Sequence, residues 1–211
     1  MNNATEETSY VCPICYYYGP FYDSSDTVRF KRYSSVCPNC RSKERGRFMK
    51  IVLNNMIGFE KTKSMTAIHF SPVRGEWYDI HFKSCQRVGG IEDGYDLTDL
   101  VLPDKWFDVS IGIDILEHIR DDEKALSEIA RITRRFALFP VPVTYDEDRE
   151  LSKLDKDGHV RQTTSRYYQK YGKFFSRVEV VSSEQCPSIY QVMSLGKNGK
   201  NYPETIPICE V

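Results

Sequence analysis

Several features that would place a protein quickly are missing from this sequence. No apolar run approaches the length of a membrane span. The opening stretch, Met-Asn-Asn-Ala-Thr-Glu-Glu, has no basic and apolar leader character. Together these absences give the expectation of a cytoplasmic protein with no membrane partner. No repeat and no low-complexity tract is present, which argues against solenoids and disordered linkers. Net charge is scarce too, at -1, so no overall electrostatic pull toward an anionic partner is expected.

What is present fits a globular chain. With 211 residues there is room for one full α/β domain and a small appendage. Hydrophobic content of 40% and charged content of 28% suit a packed, water-facing protein. Charge is unevenly spread. Arg29, Lys31, Arg32, Arg41, Lys43, Arg45, Arg47 and Lys50 face only Glu44 within residues 29–50. Residues 88–128 are rich in Asp and Glu. The basic stretch has two readings: it meets a nucleic acid, or it neutralises charge inside the protein. The second is favoured, because the cysteines nearby supply that charge.

Cys12 and Cys15 form a C-P-I-C step, and Cys37 and Cys40 form a C-P-N-C step. Two such steps have the ligand count and spacing of a closed four-cysteine zinc site. Four thiolates around one zinc leave a negative charge that neighbouring cations offset. One structural zinc ion is therefore expected. Cys85, Cys186 and Cys209 stand singly and read as free thiols. The aromatics between the two steps could stack on bases, but a module this small needs them as core.

Four segments follow from these patterns: a flexible lead-in over 1–9, a zinc ribbon over 10–42, a connecting helix over 43–60 and an α/β domain over 61–211. Ser42 is placed to cap the helix, whose stripe is Phe48, Ile51, Val52 and Met56. Strands are expected at 65–70, 107–113 and 135–143, with a helix over 121–132. A further helix is expected near 164–171. A closing hairpin is expected to pair 177–181 with 190–195. The alternation implies a Rossmann-like, doubly wound, mostly parallel sheet with a terminal antiparallel pair. Ligands of such a sheet bind beyond the carboxyl ends of its strands. The residues to read are therefore His-Phe-Ser-Pro at 69–72, Gly-Gly-Ile-Glu-Asp-Gly at 89–94, Asp-Leu-Thr-Asp-Leu at 96–100 and Asp-Ile-Leu-Glu-His-Ile at 114–119.

In that order, the two cysteine steps, the Arg-Ser-Lys-Glu-Arg run at 41–45, the His-Phe-Ser-Pro, Asp-Leu-Thr-Asp-Leu and Asp-Ile-Leu-Glu-His-Ile segments and, downstream, Val-Thr-Tyr-Asp-Glu at 143–147 and Gly-His-Val-Arg at 158–161 resemble a known family. It is the class I S-adenosylmethionine-dependent methyltransferases, in particular a subgroup with an N-terminal zinc ribbon. The resemblance implies that Phe70, Ser71, Pro72 and Gly75 approach the methionine part of the cofactor. It places Glu92 or Asp93 at the ribose hydroxyls, and Asp96 and Leu97 beside the adenine. Asp114 and Leu116 would line the floor near the sulfonium. Glu117, His118, His159 and Arg161 would face the substrate. His118, His159, Tyr145 and Asp146 are the candidates for a general base, His118 first. Each also has a plainer role, such as Asp96 holding a turn. The wider superfamily carries a glycine-rich turn after its first strand, where this chain keeps only Gly75.

The resulting expectation is methyl transfer from S-adenosylmethionine to a small-molecule acceptor. The alternative is a catalytically eroded binding protein whose ribbon and basic helix hold a nucleic acid or protein partner.

Overall fold

A computed structural model describes residues 8–24, 32–72, 81–89, 94–143, 145–195 and 201–211. They divide into two compact units. One takes in the described residues of Met1–Asn55 and Ser182–Glu204, the other those of Met56–Val73, Asp79–Val181 and Thr205–Val211. Among the described residues, no helix is long and apolar enough to cross a membrane.

The second unit is built on six strands, numbered here in chain order: β1 (Thr66–Phe70), β2 (Ser84–Val88), β3 (Phe107–Gly112), β4 (Thr133–Leu138), β5 (Arg177–Ser182) and β6 (Thr205–Glu210). Their spatial order is β5-β6-β4-β3-β1-β2. β1 pairs in parallel with β2 and β3, and β3 pairs in parallel with β4. β6 runs antiparallel to β4, with Cys209 opposite Ala137. The expected mostly parallel, Rossmann-like sheet with an antiparallel end is what the chain forms. The chain runs from β1 to β2 on one side, then to β3 on the other. The switch point of the sheet therefore lies between β1 and β3.

Every residue of β3 is buried, including two polar ones. Their partners explain how a central strand tolerates them. Asp108 accepts from the Thr66 backbone at 2.9 Å and from Arg134 at 2.8 Å. The Ser110 hydroxyl meets that of Thr133 at 2.7 Å. Gly112 ends the strand where no side chain fits: a Cβ would lie 2.5 Å from the Phe139 ring.

Between β3 and β4 runs the longest helix of this unit, Asp122–Ile132. Its start is fixed by Asp121, whose side chain accepts from the Lys124 backbone at 3.1 Å. Ala125, Leu126, Ile129 and Ile132 are fully buried and supply its apolar face. Burying each of the three larger ones contributes about 1.5–3 kcal/mol. The expected helix near 164–171 is a run of 3₁₀ turns, Ser165–Lys173, capped by Thr164 and placing Tyr167, Tyr168 and Tyr171 in the core.

Two local expectations fail. The segment Arg177–Ser182 does not pair with residues 190–195. Its neighbour is Thr205–Glu210, while Met193–Leu195 pairs with Asn201–Pro203. The physical reason is apolar surface: Ile206, Ile208 and Cys209 are all buried, and the three-residue segment Met193–Leu195 cannot match that run. Nor does Ser42 cap a helix. The helix Glu44–Val52 starts after Lys43 with no side-chain cap. The Ser42 hydroxyl lies instead 3.2 Å from Cys40 Sγ and 3.5 Å from Cys12 Sγ. A π-helical stretch, Leu53–Gly58, continues the chain into a short helix, Phe59–Thr62.

Candidate functional site

In the first unit the chemistry gathers at four cysteines. The two knuckles repeat one backbone pattern. Cys12 N–H donates to Tyr17 O at 2.9 Å, and Cys37 N–H donates to Ser42 O at 3.0 Å. The residues after the second cysteines, Tyr16 and Arg41, both turn left-handed, at φ of 61° and 67°. All four sulfurs fall within 4.8 Å of one another. Cys12 Sγ and Cys40 Sγ are 3.6 Å apart, as are Cys15 Sγ and Cys37 Sγ. No disulfide joins them. A tetrahedral centre with zinc–sulfur bonds of about 2.3 Å has edges of about 3.8 Å, so the donor set fits such an ion.

The thiols share their protons unevenly. Cys12 is held down to about 4, first by its hydrogen bond with Cys40 and against the opposing effect of burial. The same contact pushes Cys40 up, and burial pushes Cys37 up to about 11. A cluster this tight cannot ionise fully without a cation.

Arg47 is the residue that the cysteine pattern alone does not reveal. It is fully buried. Its Nη1 donates to Ser42 O at 2.7 Å and Ser35 O at 2.9 Å, and its Nε to Tyr190 O and Gln191 O at 3.1 Å. Its guanidinium sits 4.7 Å from the centre of the Phe21 ring. Burial works to lower its pKa, while Glu44 and the cysteines favour its charge. Arg45 pairs with Glu204 at 2.6 Å, and Arg32 with Glu44 at 3.5 Å. Much of the basic stretch is thus used inside this unit. The reading as a nucleic-acid or protein-binding relic is not favoured.

In the second unit the candidates collect after β1 and β3. Ser71, just past β1, is left-handed at φ 48°, and its N–H donates to Val88 O at 2.7 Å. Asp114, just past β3, is also left-handed at φ 53° and is exposed. Pro72 is half-buried. Phe70, Leu97 and Leu116 belong to the apolar core. Asp96 is exposed and holds a turn, its Oδ1 accepting from both the backbone and the hydroxyl of Thr98 at 2.8 Å. Those two bonds keep its carboxyl below the usual range. Gly75, Glu92 and Asp93 lie outside the described residues.

A 3₁₀ turn, Leu116–His118, follows Asp114. Against it lies a hairpin pairing Arg149–Glu150 with Arg161–Gln162. Val160 N–H donates to Glu117 O at 2.8 Å. Arg161 is buried, and its nitrogens go to Leu116 O, Ile119 O, Arg120 O and Glu150. It therefore fastens the hairpin to the turn. Three side chains converge here: Glu117, His118 and His159 have ligating atoms within 4.8 Å of one another. The two imidazoles meet edge to face, with centres 4.8 Å apart. His118 Nδ1 donates to Gly158 O at 3.1 Å. His159 Nδ1 lies 3.2 Å from Asp155 Oδ2. Tyr145 is half-buried and Asp146 exposed, in the segment before this hairpin.

Sequence reasoning does not single out Asp155. The turn-rich string Asp-Lys-Asp-Gly-His at 155–159 was the available signal. Asp122, at the start of its helix, looks in sequence like an ordinary first-turn acid. Its carboxylate is in fact buried, accepting from Tyr167 at 2.6 Å and Lys170 at 2.9 Å. Burial works to raise its pKa, but those donors together with Arg161 hold it below the usual range.

Comparison with known proteins adds to this geometry. Residues 62–139 match a family described as a methyltransferase domain. No curated protein matches the chain. A methyltransferase from Burkholderia thailandensis, solved with 1,6-didemethyltoxoflavin and S-adenosylhomocysteine bound, is similar in structure. It has a TM-score of 0.55 at 10% identity, over 79% of this chain and 78% of that one. An S-adenosylmethionine-dependent methyltransferase from Archaeoglobus fulgidus gives a TM-score of 0.50 at 14% identity, over 78% of this chain and 93% of that one. The fold is the methyltransferase-like Rossmann fold, with a cysteine cluster near the N-terminus.

Proposed function

We propose that the second unit binds S-adenosylmethionine beyond the carboxyl ends of β1 and β3. Its methyl group then passes to a small molecule held at Glu117, His118 and His159. The observation that carries this reading is the switch point. Left-handed residues, Ser71 and Asp114, follow β1 and β3 there, and Glu117 and His118 come within four residues of the second.

The donor set suits the cofactor. Ser71 and Pro72 border its methionine end together with Gly75. Asp114 offers a carboxylate to its ammonium group. Asp96 stays ionised and offers an acceptor to its hydroxyl or amino donors. Glu92 or Asp93 takes the ribose hydroxyls. Phe70, Leu97 and Leu116 form the apolar floor beneath these groups.

When bound, S-adenosylmethionine supplies a methyl carbon already activated by a sulfonium. The protein's share is alignment and exclusion of water. Where the acceptor must lose a proton, His118 is placed to take it. Its Nδ1–H is spent on Gly158 O, which leaves Nε2 as a basic nitrogen. His159 is oriented by Asp155 beside it, and Tyr145 and Asp146 border the acceptor. Arg161 acts on the substrate side by fixing the turn that carries Glu117 and His118. The Burkholderia methyltransferase of similar fold was solved with 1,6-didemethyltoxoflavin bound, which supports a small molecule as the substrate class here. In the first unit, zinc closes the four-cysteine site and serves structure, since four thiolates leave no open position.

The test is calorimetric titration with S-adenosylhomocysteine. One equivalent bound, with affinity lost in Asp114→Ala, is the expected result. No heat at millimolar ligand would remove the methyl-transfer reading.

A further inference from the structure

We propose that Glu117, His118 and His159 form a second metal centre, one that binds a divalent first-row transition ion and keeps open positions for an added ligand. Four observations carry it. The three ligating atoms already lie within 4.8 Å of one another. Two imidazoles and one carboxylate are a donor set suited to such ions, and three protein ligands leave further positions open. His118 donates through Nδ1 to Gly158 O at 3.1 Å, and His159 Nδ1 lies 3.2 Å from Asp155 Oδ2, an oxygen beside each ring nitrogen. For His118 that bond fixes the tautomer and presents Nε2, as in ligating histidines, and Asp155 stands where such a partner would orient His159. Finally, burial falls off across the cluster. The Glu117 side chain is 1% exposed and that of His118 40% exposed. The charged oxygen ligand is thus inside, where a cation offsets the cost of burying it, and the open side faces water.

The backbone holds the three ligands together without the ion. Glu117 and His118 share the 3₁₀ turn, His159 sits on the hairpin, and Val160 N–H binds Glu117 O across the two. The open positions suit an oxygen donor, such as a hydroxyl or carboxylate of the acceptor. That role rests on the methyl-transfer reading. With an ion present, His118 Nε2 is a ligand, and the acceptor hydroxyl acidifies on the ion, giving its proton to solvent.

Cobalt(II) separates this centre from the cysteines. Full-length protein carrying one equivalent of zinc is titrated with cobalt under absorption. The expected result is one further equivalent, with weak d–d bands and no thiolate-to-cobalt charge transfer. His159→Gln and Glu117→Gln should abolish that binding, and Asp155→Asn should weaken it about 10–100-fold. Zinc content and thermal unfolding of each variant report whether the fold is kept. Should Glu117→Gln lose it, His118→Gln, at an exposed position, carries the same comparison. No second equivalent, a charge-transfer band alone, or binding unchanged in the variants would overturn the centre. Affinity for S-adenosylhomocysteine without cobalt keeps the two readings apart. If the nucleoside binds and cobalt does not, only the metal centre fails; if cobalt binds and the nucleoside does not, only methyl transfer fails.

Discussion

The two clusters of ligating side chains differ in closure and in where their support comes from. The cysteines lie in two matched knuckles, with Ser42 against the sulfurs and Arg47 buried nearby. All four positions of a tetrahedral ion are supplied by protein. Glu117, His118 and His159 give three ligands on a turn and a hairpin, with one imidazole facing water. A closed set stabilises a fold; an open set leaves room for chemistry. On the proposed reading, the first unit serves structure and the second serves the reaction.

The largest expected effect breaks the closed side. Cys37→Ser, or a strong chelator, should unfold the first unit while leaving the second folded. Structural zinc is worth on the order of 10–16 kcal/mol in small modules, so the loss should be complete. Amide exchange resolves the two units: rapid exchange confined to the first is expected. Next comes Arg47→Met. It leaves the carbonyls of Ser35, Ser42, Tyr190 and Gln191 without their donor, at a cost of about 3–5 kcal/mol, read by denaturant unfolding. A change under ~1 kcal/mol would mean that the guanidinium does not hold the unit together.

A smaller effect sharpens the open side. Asp122→Asn removes a buried carboxylate bonded to Tyr167 and Lys170, and should cost about 1.5–3 kcal/mol near neutral pH. Its folded pKa lies below the unfolded value, about 3.9. The contribution is therefore present above that value and is lost as pH falls through the folded pKa. The gap between wild type and variant should begin to narrow as pH falls past about 4 and close only below the folded pKa in stability-against-pH curves. A constant gap would contradict the assignment.

The contrast also explains what the sequence makes legible. The cysteine steps announce themselves because spacing alone sets the ligand geometry. The strands β1, β3 and β4 and the helix Asp122–Ile132 are readable from apolar period and a capping acid. The C-terminal pairing is not. Pro207 argues against an interior strand, yet β6 lies between β5 and β4. Residues 182–204 join the cysteine unit through contacts such as Arg47 to Gln191, which no local pattern encodes. In the candidate site, His118 and His159 are each visible as residue types after predicted elements. Their meeting depends on a two-residue ladder and on Arg161, whose role as a fastener is a matter of backbone carbonyls. Side chains that act through main-chain oxygens leave no signature in composition or period.

The central claim is that the turns after β1 and β3 hold the cofactor even though Ser71 and Pro72, rather than glycines, follow β1. Titration of the zinc-loaded protein with S-adenosylhomocysteine tests it most directly. The account predicts one equivalent bound per chain, weakened in Asp114→Ala and unchanged in Arg45→Ala, a residue of the other unit. No binding at millimolar ligand, or binding indifferent to Asp114, would contradict it.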